Sequence, residues 1–184
     1  MKQLNGLPTM NKLHSSHDSI QSMGEAYELL LEKALQKAHQ SGAIVHDVID
    51  VVRGDIAGLN KLSGDELIKL EAYLKRDMID AAQYLNQTGK ELKDWLGFDA
   101  ALIKQKLWER FSNAADQTTV ALDRLKLQAA DVGYRTGEIT GLGTLVCDQC
   151  GNKLHFHKPG HIPPCPQCNT THFHRKSFET EKIY

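Results

Sequence analysis

Apolar positions in this chain recur with helical spacing through Ala130 and with strand spacing beyond it. Ile20, Met23, Tyr27, Leu30, Leu31, Ala34, Leu35 and Ala38 advance in steps of three, four and one, which predicts a helix from Asp18 or Ser22 to a stop at Gly42. A second stripe runs Val45, Val48, Ile49, Val52, Ile56 and Leu59, weakened by Gly54 and Gly58. Ser63 followed by Glu66 is a capping-box start for a third helix, with Leu67, Leu70, Leu74, Met78, Ala82 and Leu85 on its apolar face and Gly89 as its stop. After a short turn or half-helix at Glu91–Leu96, a fourth helix is predicted from Asp99 to Ala130, carrying Leu102, Leu107, Trp108, Phe111, Ala115, Leu122, Leu125 and Ala129. A helix of that length would span ~48 Å, so an elongated helical hairpin or bundle is expected.

After Gly133 the pattern changes to short β-type runs at Leu145–Val146, Lys153–Lys158 and Thr171–Lys176. Gly151-Asn152, Pro159-Gly160, Pro163-Pro164 and Asn169 punctuate them. The division that follows is a flexible N-terminal tail at 1–17, helices over 18–135, a small β unit over 136–178 and a C-terminal tail at 179–184. The fold class is mainly α with a small β module at its end. Some forty-five residues with three short strands bury too little to fold unaided, so the module needs a staple.

Cysteine supplies it. All four thiols fall in two C-x₂-C pairs, Cys147/Cys150 and Cys165/Cys168. In a reducing compartment that arrangement suits one structural, tetrahedral Zn²⁺. Each pair needs a turn that tolerates positive φ after its second cysteine, and Gly151 and Asn169 stand there. Four thiolates close the coordination shell, whereas catalytic zinc keeps a position open, so catalysis at this metal is not expected. An iron–sulfur centre or a redox-active dithiol would use the same residues; no βαβ pattern surrounds them, which counts against a thioredoxin-like role.

Charge narrows the partners. Lys+Arg number 22 against 23 Asp+Glu, a net −1, which excludes binding nucleic acid by bulk charge alone. Four thiolates around one Zn²⁺ bring the loaded β module itself to about −1 with its histidines neutral. No run of ~18 apolar residues suggests a membrane span. The first residues lack the apolar region of a secretory signal, so the cytoplasm is the expected compartment.

The run Gly137-Glu-Ile-Thr-Gly-Leu-Gly-Thr-Leu-Val-Cys147-Asp-Gln-Cys150, then Cys165-Pro-Gln-Cys168 and the close Phe173-His-Arg-Lys-Ser-Phe178, resembles the YbeL-like zinc ribbon-containing proteins of bacteria. The resemblance implies a helical N-terminal region, a C-terminal zinc ribbon and the four cysteines as zinc ligands. It brings no catalytic residues with it.

The remaining signals are weaker. If their segments are strands, His155 and His157, and likewise His172 and His174, share a face; antiparallel neighbours would gather four imidazoles, with Arg175 and Lys176 beside them. That surface could hold a second metal, or contact RNA or an acidic partner. Phe156, Phe173 and Phe178 could stack on bases, but more often such residues fill a ribbon's core. Trp95 and Trp108 fit helical packing. Gly137, Gly141 and Gly143 read as a close-packed linker rather than a phosphate loop. Asp77, Asp80, Glu109, Asp116 and Asp123 sit at exposed spacings. No E-x-x-H, G-x-S-x-G, P-loop or H-E-x-x-H motif proposes an active site or a small-molecule substrate. The expected function is a non-enzymatic adaptor whose helices contact a protein partner or pair, coiled-coil fashion, as a homodimer. Nucleic-acid or ribonucleoprotein association through the ribbon is the alternative, followed by a redox switch that releases zinc.

Overall fold

The computed structural model describes residues 11–43, 45, 47–49, 62–120 and 133–175. Helix α1 spans Asn11–Ser41, α2 Gly64–Thr88, α3 Leu92–Leu96 and α4 Gln105–Val120, with a 3₁₀ turn at Ala100–Leu102. Six short strands follow: β1 Tyr134–Arg135, β2 Ile139–Thr140, β3 Gly143–Cys147, β4 Lys153–Phe156, β5 Gly160–His161 and β6 His172–Arg175.

The helical stripes close on one another. Tyr27, Leu30, Leu31 and Ala34 of α1 pack with Leu70, Leu74 and Met78 of α2 and with Leu107, Phe111 and Ala115 of α4 in one core. Val45, Val48 and Ile49 join it; the rest of the second stripe, and Leu122, Leu125 and Ala129, lie outside the described residues. Gly42 and Gly89 take the left-handed conformation that ends α1 and α2, at φ 68° and 61°. The capping box at Ser63 is formed in both directions. The Glu66 N–H donates to Ser63 Oγ (3.3 Å) and the Ser63 N–H donates to Glu66 Oε2 (2.7 Å).

Three expectations need correction. Helix α1 already begins at Asn11, so residues 11–17 are helical rather than tail. At 31 residues α1 is the longest helix among the described residues, roughly 46 Å by its rise. The predicted fourth helix is broken at its head. Asp99 caps the 3₁₀ turn through Oδ1, which accepts from the Ala101 N–H (2.9 Å), and Ile103 is extended. That geometry buries Ile103 and leaves Leu102 58% exposed, where the sequence pattern placed Leu102 inward. Finally, Tyr134 and Arg135 are not helical; as β1 they pair with Phe173 and His172 of β6.

The β module is one antiparallel sheet in the order β1-β6-β3-β4, with β2 paired to β5 beside it. Its own core is Tyr134, Leu145, Cys147, Ile162, Cys165 and Phe173. Ile139 and Leu142 instead belong to the helical core, so the linker is driven into the bundle. Among the described residues no helix is long and apolar enough to cross a membrane.

Candidate metal centre and its dock

Each cysteine pair brackets a turn that aims both sulfurs inward, one turn between β3 and β4 and the other ahead of β6. The two repeat a single hydrogen-bond scheme. The Gly151 N–H donates to the Cys147 carbonyl (3.0 Å) and the Asn169 N–H to the Cys165 carbonyl (2.8 Å). The N–H groups of Cys147 and Cys165 donate in turn to the carbonyls of Asn152 and Thr170, both at 2.9 Å. Gly151 (φ 71°) and Asn169 (φ 61°) supply the left-handed residue each turn needs. Two copies of one local motif thus converge on one point.

All four Sγ atoms lie within 4.8 Å of one another. Cys147–Cys150 measures 3.4 Å, Cys147–Cys168 3.5 Å and Cys150–Cys165 3.6 Å. Sulfurs ~2.3 Å from a tetrahedral zinc would stand roughly 3.8 Å apart, so the cage fits that ion. Its electrostatics agree. Burial disfavours the thiolates, yet the N–H groups of Cys150 and Gln149 hold the Cys147 thiol below its usual range. Against the same burial, those of Cys168 and Gln167 bring Cys165 down to about 6. Cys150 is pushed up to about 12: the Asn152 N–H favours its thiolate, but burial and bonding to the other three sulfurs outweigh it. Sulfurs this close cannot all ionise without a cation among them, and a divalent ion supplies that charge.

The histidines do not form a second centre. Strand β3 lies between β4 and β6, so the two pairs share a face but are separated by a strand. Among the described residues the four cysteines are the one group of three or more His, Cys, Asp or Glu able to surround an ion. His174 Nδ1 sits 2.5 Å from Asp148 Oδ1, both exposed, and exposed His172 stands beside the Thr171 hydroxyl. His155 and His157 are exposed and meet the edge of Phe98, with ring centres 5.7 and 4.5 Å away. Phe173 fills the ribbon core, Phe156 is half-buried, and Lys176 and Phe178 lie outside the described residues.

Arg175, expected on a partner surface, is 3% exposed and faces the bundle. The register explains why: Arg175 pairs with Leu145, so it shares the inward face of the sheet with Phe173. Its Nη2 donates to Thr140 Oγ1 (2.7 Å) and lies 3.5 Å from Asp77 Oδ1, while its Nε donates to Tyr134 Oη (3.2 Å). The guanidinium also stacks over Trp95 at 4.8 Å.

Asp77 is the hub of this dock. It is fully buried, not exposed as its charged neighbours suggested, and Asp80 is half-buried; Glu109 and Asp116 are exposed as expected. Asp77 Oδ2 accepts from the Tyr27 hydroxyl (2.9 Å) and the Gly141 N–H (2.6 Å). Its Oδ1 accepts from Tyr134 Oη (3.1 Å), which also bonds Asp80, and lies 3.4 Å from Arg76 Nε. Arg76 then ties the ribbon a second time, donating to Glu138 Oε2 (2.6 Å) and the Ile139 carbonyl (2.8 Å). Burial raises the Tyr27 hydroxyl far above its usual range, with the Asp77 charge adding to it, so the group is a donor and not an anion. A Cβ at position 141 would fall 2.4 Å from the Tyr27 oxygen, which is why the linker needs glycine there. No local motif marks this cluster in the sequence. One signal was available: Asp77 occupies a core position of the stripe Leu70, Leu74, Asp77, Ala81, where a carboxylate demands buried partners.

A helical bundle with a four-cysteine ribbon locked onto it defines a zinc-ribbon protein. The chain belongs to the zinc-ribbon containing domain family, which matches residues 32–177. It is 25% identical over 162 residues to the uncharacterized protein YbeL of Escherichia coli strain K12, covering 85% of this chain and 98% of that protein. The YbeL proteins of E. coli O6:H1 and O157:H7 match to the same extent. No solved structure matches the chain.

Proposed function

We propose that this protein is a non-enzymatic adaptor in which one zinc ion is structural and the helices present a surface to a protein partner or to a second copy of the chain. The observation that carries this reading is the pairing of a closed four-thiol cage with a ribbon tied to the bundle twice, by Arg175 to the buried Asp77 and by Glu138 to Arg76. A cage with no open position gives a metal nowhere to bind substrate. A ribbon bonded into the bundle serves as part of one rigid surface.

Among the described residues the apolar stripes are spent internally, and Ile68 and Leu102 are the large apolar side chains left exposed. Contact with a partner therefore runs over a mixed polar face. Nucleic-acid binding through the ribbon ranks second, because the burial of Arg175 withdraws from the surface the side chain best suited to phosphate. Elemental analysis under reducing conditions should return one zinc per chain. Affinity capture from the native cell should retain a protein partner after nuclease treatment, or light scattering should show a dimer. Substoichiometric metal with an ordered ribbon, or a partner lost to nuclease, would overturn the proposal.

A further inference from the structure

A concave site lies apart from the metal cage and the dock, where the 3₁₀ turn and the head of α4 face the turn after β4. Leu102 and Lys104 form one wall and His155, Phe156, His157 and Lys158 the other, around a cavity of about 410 Å³. That is the size of a small ligand cleft, ~300–1,000 Å³.

Its chemistry is one-sided. No acidic side chain lines it, and every titratable group there is a cation or becomes one on protonation. The N-terminal end of α4 adds positive potential: its first turn holds no acidic residue, and Lys104 and Lys106 sit where the helix dipole is already positive. Leu102 stays exposed beside these charges although Ile103 next to it is buried. The His155 tautomer is fixed. Thr144 gives its hydroxyl proton to the Leu96 carbonyl (2.5 Å), so at 2.8 Å it accepts from His155 Nδ1–H. Nε2 of the neutral ring is then an acceptor, and burial together with the His157 and Lys153 charges holds the ring neutral, which leaves the anion-binding charge to the lysines. Charges gathered against the dipole, around an apolar floor, await a complementary anion.

We propose that this groove binds an acidic segment of a protein partner, its carboxylates on Lys104 and Lys158 and one apolar side chain on Leu102 and Phe156. The site is new with respect to the adaptor reading, which names neither this groove nor the chemistry of a partner. An acidic peptide fits better than RNA because no arginine lines the groove, Arg175 is buried, and the cations form a spot rather than a track along a phosphate backbone.

Nuclear magnetic resonance of the full, metal-loaded chain tests it, with a blocked peptide of sequence Glu-Asp-Leu-Glu-Glu-Leu as probe. Its Gln/Asn counterpart and a short oligouridine serve as comparators. The acidic peptide should move the Leu102, His155 and His157 resonances, and the neutral one should not. Lys104→Glu with Lys158→Glu should weaken binding about tenfold or more, whereas Lys69→Glu, on an exposed stretch of α2, should leave it unchanged. Both groove lysines are exposed, and unshifted Tyr27 and Tyr134 signals would verify the fold of the double variant. No shift at millimolar peptide, shifts that survive the double charge reversal, or oligouridine binding the groove in place of the peptide would each overturn the proposal. None of these results would touch nuclease-resistant capture of a partner by the helices, so the two readings fail separately.

Discussion

Asp77 joins the two halves of the protein at a single side chain, because two guanidinium groups that are themselves buried converge on it. Arg76 and Arg175 are 5% and 3% exposed. Removing the carboxylate takes a buried counter-charge from both, although Arg76 keeps Glu138, and breaking a buried pair from one side costs about 3–5 kcal/mol. Asp77→Ala should lose that much in urea unfolding of the metal-loaded protein, whereas Tyr27→Phe, deleting one hydrogen bond to the same oxygen, should lose about 1–2 kcal/mol. Equal losses would show that the hub is not electrostatic. Asp80 behaves in the opposite sense. Burial lifts its carboxyl to about 6 against the opposing pull of the Tyr134 hydroxyl and of Arg175. A folded value above the unfolded ~3.9 means the native state holds the proton more tightly; this contribution is complete below the unfolded value and is lost as pH rises through the folded one. Asp80→Asn should therefore be more stable than the parent by about 1–2 kcal/mol near pH 7.5, with the advantage shrinking as pH falls through 6. A variant less stable near neutrality would mean that the ionised carboxylate is itself part of the dock.

Caps and cysteine turns are local agreements between neighbours, and this locality made them readable from the chain. Ser63 and Glu66 are three residues apart, and Gly151 and Asn169 directly follow the cysteines they serve. Ser63→Ala should cost about 1 kcal/mol in thermal or urea unfolding, and no change would show that the capping box is redundant with packing. The two-residue strands β1, β2 and β5 are too short to display a period of two, so nothing in the pattern announced them. The broken start of α4 left only a faint trace. Leu107, Phe111 and Ala115 keep helical spacing, but Leu102 stands five residues before Leu107 and off that stripe, and the Asp99 cap and the burial of Ile103 break the helix there. The dock was the least legible feature, since its bonds join residues 57 and 64 positions apart, from Tyr134 and Gly141 to Asp77. In one dimension an arginine after a histidine strand looks like surface. Only the register opposite Leu145 turns it inward.

At the scale of the molecule, these bonds make the ribbon and the bundle one cooperative body. Ile139 and Leu142 belong to the helical core, and Arg175 reaches Asp77 from β6, the strand that directly follows the second cysteine turn. Anything that unravels that turn releases β6, and with it the compensation of a fully buried carboxylate. Metal removal should thus be felt by helices that contain no ligand. Treating the reduced protein with a chelator should lower the thermal midpoint of the helical circular dichroism signal, by about 2–4 °C for each kcal/mol of lost coupling in a chain of this size. In an Asp77→Ala background, where the electrostatic link is already cut, the same treatment should shift the midpoint much less. The difference between the two shifts measures the coupling free energy directly. Equal shifts with and without Asp77 would mean that the apolar insertion of Ile139 and Leu142 alone binds the two halves. An unshifted parent would mean that the ribbon is tethered to the bundle and not fused with it.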